Sequence, residues 1–214
     1  MKRMHVVLVL LAVTFFAGAL VSSAQAQGLP KAGLTIKGGL DVMGNLELEL
    51  EGESTDGDMK TGINLGAEYI FPLSDMIGIG PGAAYMLPRG VDEDDAVDGK
   101  LSFLPVYGVL NICLKSGGEI TPFIVGQIGY SFGFMDSTMK DDLESGIEEE
   151  IGEEVALEME GGLYWGIGGG ILLSNNIQIE LVYNVNNGKI TSDDVDGEID
   201  VEYSKITVTV GYKF

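Results

Sequence analysis

Val208-Thr209-Val210-Gly211-Tyr212-Lys213-Phe214 closes the chain. Val208, Val210, Tyr212 and Phe214 fall on one side of a period-two pattern, and Thr209, Gly211 and Lys213 on the other. A period of two is the signature of a β-strand with one apolar and one small or polar face. The final residue therefore belongs to a structural element, and something apolar covers the face that carries it.

The same alternation recurs upstream, and eight segments can be read. They are Gly33–Val42, Thr61–Phe71, Met76–Leu87, Leu101–Leu114, Ile120–Phe134, a stretch ending at Leu173, Ile177–Val185 and the terminal strand from about Ser204. The fourth has the weakest phase, with Leu104, Val106, Leu110 and Ile112 taken as its apolar face. Between Tyr203 and Ile206 the alternation breaks, which suggests a bulge near Ser204. Connections alternate between short (Pro72–Asp75, Lys115–Glu119, Ser174–Asn176) and long (Met43–Lys60, Pro88–Lys100, Met135–Glu160, Asn186–Glu202).

The face opposite the apolar one decides the class. In a soluble sandwich the outer face carries charges. Here it is mostly Gly, Ser, Thr, Asn and Gln, and glycine alone supplies 32 of 214 residues. Small residues suit the interior of a narrow barrel. The apolar face then points outward, into lipid. Unpaired backbone groups are not tolerated in hydrocarbon, so the sheet must close on itself. The expected fold is all-β, an eight-stranded antiparallel up-and-down transmembrane β-barrel. A soluble periplasmic β-sandwich is the alternative architecture. Tyr69, Phe71, Tyr212 and Phe214 would form one interfacial aromatic belt, with Tyr85, Phe132, Phe134, Trp165 and Tyr183 nearer the other.

The chain's start fits export. Lys2 and Arg3 precede an apolar run, Val6–Val21, and Ala24-Gln25-Ala26 has the small-x-small form of a cleavage site. Residues 1–26 read as a cleaved signal peptide, leaving residues 27–214 as one barrel domain in a bacterial outer membrane. Cys113, the one cysteine, has no intramolecular disulfide partner and reads as a packing residue.

With these features on the page, the chain resembles the OmpA/OmpX-type outer-membrane β-barrel proteins. The likeness rests on the leader, eight strands, the terminal Tyr212-Lys213-Phe214, the Pro-x-x-x-Gly-x-x-Gly-Tyr of Pro122–Tyr130 and the Gly-Gly-Leu-Tyr-Trp-Gly-x-Gly of Gly161–Gly168. It covers the whole chain after the leader. It implies that Tyr212 and Phe214 form the signal read by the barrel-assembly machinery.

Charge is one-sided. The formal net charge is −21, and the four long connections hold 28 of the 33 acidic residues. That field disfavours nucleic acid. It suits a solvated surface, or contact with outer-membrane lipid and lipopolysaccharide through divalent cations. Ser192–Ile199 resembles part of a calcium loop, but Ser192 and Tyr203 stand where carboxylates belong, and Asp94–Gly99 fits no better. No specific metal site is assigned and no cofactor is implied. The longest connection carries Met139, Leu143, Ile147, Ile151 and Val155 four apart. Its acids, with Gly146 and Gly152, favour a mobile loop over a helix.

Few charges point inward: Lys37, Asp41, Glu68, Glu180, Lys205 and Lys213. Pairing is expected for Asp41 with Lys205 and for Lys37 with Glu68, because a buried ion needs a partner. Catalysis has little to work with. The only histidine, His5, lies in the leader, no carboxylate pair is singled out by spacing, and the mid-strand glycines 166–170 precede no helix. The expected function is a monomeric, non-enzymatic structural or surface-interaction protein with acidic loops. Alternatives are a narrow cation-preferring pore, or a small barrel for an apolar ligand or lipid, which the shortage of large inward apolar residues disfavours.

Overall fold

The computed structural model describes residues 32–50, 53–90, 99–114, 119–151, 155–173, 176–192 and 198–214. The leader (residues 1–26) and the connection acids at positions 92–98 and 193–197 lie outside them. The elements are β1 (Gly33–Leu50), β2 (Glu53–Met59), β3 (Gly62–Pro72), β4 (Ile77–Arg89), β5 (Leu101–Cys113), β6 (Ile120–Met135), α1 (Ser137–Ile151), β7 (Leu157–Leu173), β8 (Ile177–Ser192) and β9 (Glu198–Lys213).

β1 pairs antiparallel with both β2 and β3, each later strand pairs with the next, and β9 returns to β1, Thr35 opposite Lys213. That pairing closes the barrel on itself. Eight strands form the wall. β2 is a ninth in name only. The register that sets Asp41 opposite Gly62 continues without shift to Gly44 opposite Met59. β2 and β3 are thus one strand, interrupted at Lys60–Thr61.

Facing follows the alternation. Ile36, Leu40, Ile63, Leu65, Ile128, Val210 and Phe214 are exposed on the outside, and on β5 Val106, Leu110 and Ile112 point out as expected. Tyr69 packs at a tilt on Phe71, and Tyr212 edge-on to Phe214, near the end that carries the chain terminus. Tyr130 with Phe132 and Trp165 with Tyr183 pack edge-to-face toward the far end.

The first and fourth long connections differ from the loops expected. Much of Met43–Lys60 and Asn186–Glu202 is strand, so the wall continues past the lipid-facing band. In these extensions the chemistry of the two faces inverts. Leu46, Leu101, Phe103, Leu157, Ile190 and Val201 turn inward, while Glu49, Glu158, Glu198, Asp200 and Glu202 face out. Water, not lipid, now surrounds the wall, so the apolar residues move to the inside. On β1 the inversion is made by a bulge. Met43 adopts φ 52°, and the β1–β9 register shifts between Val42 and Asn45. One inserted residue exchanges the two faces of a strand, so Leu46 points in where Leu40 pointed out. The bulge expected near Ser204 is absent: β9 pairs β8 without a shift, and the irregularity sits across from it on β1.

The inside is also less uniformly small than expected. Tyr107, Phe123, Val125, Tyr164 and Val182 form a buried inward cluster. The lumen glycines make room for them. A Cβ on Gly82 would lie 2.5 Å from the Tyr107 ring and 2.9 Å from Glu68 Cγ. Gly126 faces outward, with nothing within 4 Å of its missing Cβ. Gly82→Val is therefore expected to abolish the compact, heat-modifiable band on a gel or to cost about 1–3 kcal/mol, whereas Gly126→Val leaves the band unchanged.

The connection expected to be a mobile loop contains α1. Asp136 caps it, its Oδ1 accepting from Met139 N (3.0 Å) and Lys100 N (2.9 Å). Glu144 Oε1 accepts from Leu157 N at 2.8 Å, tying the helix to β7. Met139, Leu143 and Ile147 rest on the apolar cluster of the strand extensions. Tertiary packing stabilises a helix whose own acids disfavour it.

Candidate functional site

Two buried ionic clusters cross the lumen, stacked along β1. In the first, Asp41 Oδ2 lies 2.6 Å from Lys205 Nζ and 2.9 Å from Arg89 Nη2. Thr207 donates its hydroxyl to Asp41 Oδ1 at 2.7 Å. In the second, Lys37 Nζ lies 2.6 Å from both Glu68 Oε2 and Glu180 Oε2. Tyr107 and Gln127 donate to Glu68 Oε1 at 3.0 and 3.1 Å, and Tyr164 donates to Gln127 at 2.6 Å. Gln178 donates to Glu180, and so does Thr209.

The strands dictate these meetings. Asp41 stands opposite Thr207 on β9, so Lys205 is its diagonal neighbour. Lys37 stands opposite Gly66 on β3, so Glu68 is its diagonal neighbour. Glu180 reaches the same ammonium from β8. Five of the six inward charges read from the sequence thus enter the two clusters. Lys213 points inward at the terminal end beside Gly33 and joins neither.

Arg89 is the ionic residue that sequence reading missed. It lies one residue beyond Pro88, in a stretch that reads as an acidic loop, yet β4 runs through it. Its guanidinium stacks over the Tyr203 ring at 4.7 Å, and Lys205 Nζ sits 5.6 Å from the same centroid. Tyr203 also stacks on Phe103, centroids 5.5 Å apart and planes within 7°. Tyr203 therefore separates the ionic lumen from the apolar cluster beneath α1.

The order along the axis is an ionic layer of net −1, an ionic layer of net +1, an aromatic plate, an apolar dome and a helix. Asp41, Glu68, Lys205 and Tyr203 are each 0–1% exposed. A buried charge held by a partner and hydrogen bonds is costly to displace.

A match to the outer membrane protein beta-barrel domain spans residues 8–214. The chain belongs to that family.

In outer-membrane barrels the short turns lie on the periplasmic side and the longer connections on the outer side; in this chain the short turns share the end that carries Phe214. This barrel domain is similar to the solid-state NMR structure of the outer membrane protein AlkL in DMPC bilayers, at 11% identity and TM-score 0.51, over 90% of this chain and 94% of that one. It is also similar to OprG from Pseudomonas aeruginosa (16% identity, TM-score 0.49, 89% and 99% covered). A third is the attachment invasion locus protein Ail of Yersinia pestis (16%, 0.48, 86% and 100%). At these identities the likeness is one of fold. No curated protein sequence matches the chain.

On the outer surface of this barrel domain, carboxylates meet across strands. Glu47 stands directly opposite Glu202, and Glu49 opposite Asp200. Lys189, on β8, offsets part of that charge through Glu198 (2.5 Å) and Asp200 (3.7 Å). Those partners, Glu198 first, hold its ammonium above the ordinary lysine range. Among the described residues no group of three or more His, Cys, Asp or Glu is arranged to hold a metal ion.

Partial burial, and then the Glu47 charge, hold the Glu202 carboxyl above the usual carboxylate range. The folded state thus binds this proton more tightly than the unfolded chain does. Its contribution to stability is present at acidic pH and lost as pH rises through the raised value. Glu202→Gln is expected to raise the melting temperature slightly at pH 7 and not at pH 4, and added salt should shrink the difference.

Proposed function

We propose that this outer membrane protein beta-barrel domain is a plugged, non-conducting barrel. Its lipid-facing band anchors it, and its activity resides in the part outside the membrane. The observation that supports this reading is the succession of buried, paired side chains along the lumen, from the Lys37–Glu68–Glu180 layer through Asp41–Lys205–Arg89 to the Phe103–Tyr203 pair. The acidic outer wall supports a role in surface interaction, with lipopolysaccharide bridged through divalent cations as the electrostatically suited neighbour.

The pore alternative required an aqueous path, and the paired lumen charges stand against it. A non-enzymatic role is favoured by a sequence whose only histidine is His5, since general-base chemistry near neutral pH leans on that side chain. Assembly through Tyr212 and Phe214 fits their outward position at the periplasmic rim. A monomer fits a barrel closed on itself by the β1–β9 pairing.

Planar-bilayer recording of the refolded barrel tests the reading. Silence from a preparation that is folded by its heat-dependent gel shift is expected. Steady cation-selective steps from that preparation would overturn it.

A further inference from the structure

Most glycines of the wall are explained by what a side chain there would strike. Gly108 and Gly126, both on the outer face, are not. A Cβ on Gly126 meets nothing within 4 Å, and one on Gly108 meets only the Ile128 carbonyl, at 3.8 Å. Glycine weakens a strand interior, and there it marks a bulge or a close approach by another backbone or a ligand. The β5–β6 ladder passes through both positions without a shift. No backbone comes nearer than ordinary contact. A ligand is what remains.

The two glycines floor a shallow depression of about 540 Å³ on the outside of the wall, within the size range of small-molecule sites. Ile79, Leu110, Ile128 and Ile167 rim it. Gln127 lies at its base, but its amide is turned into the lumen, between Glu68 and Tyr164. Gly126 is the middle residue of the outward run from Ile120, at the short-turn end of β6, to Phe132 in the far aromatic pair. The depression thus opens at mid-depth of the lipid band, where the surroundings are hydrocarbon.

Register gives the depression its direction. Paired residues followed strand by strand from Thr35 return to β1 at Leu46, eleven residues higher after eight strands. Each strand crossed along the ladder therefore climbs by between one and two residues. From Gly108 to Gly126 the floor crosses one strand and descends two residues, because Gly108 pairs with Ile128 and Gly126 with Leu110. Climb and descent nearly cancel, so the floor runs round the girth of the barrel and not along its axis. A straight acyl chain, standing along the membrane normal, passes across it. A chain bent at mid-length by a cis double bond can turn and lie in it.

We propose that this depression seats one cis-unsaturated acyl chain of a bilayer lipid. Its contacts are hydrocarbon on hydrocarbon, and its selectivity is for a bent chain over a straight one. The inference rests on the reading that this wall stands in lipid.

Trp165 is the chain's one tryptophan. It points outward, directly opposite Ile128 at the rim, so its fluorescence reports on the depression. The test refolds the full barrel in phosphatidylcholine vesicles whose chains carry bromine at mid-length and quench Trp165. These lipids are diluted with dioleoyl- or dielaidoyl-phosphatidylcholine, the cis and trans isomers of one chain, both in the fluid phase. The cis lipid is expected to relieve quenching at about threefold lower mole fraction than the trans lipid, the effect of about one more buried methylene. Gly126→Leu fills the floor from outside and should bring that ratio to one. Gly108→Leu fills it from the next strand and decides the matter if Gly126→Leu does not fold. Equal relief by the two isomers in the parent would overturn the proposal. So would a cis preference that survives filling at both glycines, since it would then belong to the surrounding lipid at large. Quenching that fades as barrels are crowded at fixed lipid composition would make a second copy the occupant and overturn it too. No quenching in any vesicle would place Trp165 outside lipid, and the membrane reading of the wall would fall with the inference.

Discussion

Asp41→Leu is expected to prevent the barrel from reaching its heat-resistant folded form. Among the described residues Asp41 is the one carboxylate paired with Lys205 and Arg89, all three are buried, and Thr207 donates to its other oxygen. Without it two like charges remain in a low-dielectric lumen with no counter-ion. Breaking a buried pair by removing one partner costs about 3–5 kcal/mol, and here two cations lose theirs. The companion variant separates charge from shape. Asp41→Leu/Lys205→Met/Arg89→Met removes the whole cluster and fills the space with apolar side chains, which is often neutral or stabilising. It should recover the gel shift that the single change loses. If both variants fold equally well, the cluster is solvated and the closed lumen described above is wrong. If neither folds, Asp41 matters for packing and its charge is incidental.

How much of this could be read from the sequence depends on where a residue lies relative to the lipid. Within the band, lipid outside and a narrow lumen inside impose one rule on every strand, and alternation alone gives the facing. That is why Lys37, Asp41, Glu68, Glu180 and Lys205 could be placed inside before any coordinates. Beyond the band the rule reverses. Leu46, Phe103, Leu157 and Val201 obey a soluble barrel's pattern, so a reader following the membrane pattern sees the strand stop. Two strands cross that boundary differently. β9 keeps its register and changes only which residue types occupy each face. β1 inserts Met43 and swaps the faces. Arg89 was hidden for the same reason: Pro88 and the acids after it look like loop, although the wall passes through them. α1 had legible signals, namely Asp136 as a cap and the Met139, Leu143, Ile147 spacing. Its acids outweighed them because the buried apolar surface that holds the helix is assembled from seven different strands, and no local window contains it.

Replacing Ser137–Ile151 with a short Gly-Ser linker is expected to leave a folded, silent barrel with an open dome. The helix contributes Met139, Leu143 and Ile147 to the outer cluster, and each such side chain, when fully buried, is worth about 1.5–3 kcal/mol. That loss falls on the dome alone. The lipid-facing wall and both ionic layers keep every contact they have, since no residue of α1 touches Asp41, Lys37 or their partners through the hydrogen bonds or ion pairs described. The gel shift should therefore persist, while an apolar fluorescent dye gains a binding surface and a cysteine at Met86 becomes reactive to thiol reagents added from outside. The current trace then identifies the seal. Silence after helix removal places it at Asp41–Lys205–Arg89 and Lys37–Glu68–Glu180, below the dome, as the geometry requires. Ion flow through the helix-less barrel would make α1 the only barrier, and the ionic layers would have to be read as the lining of a pore.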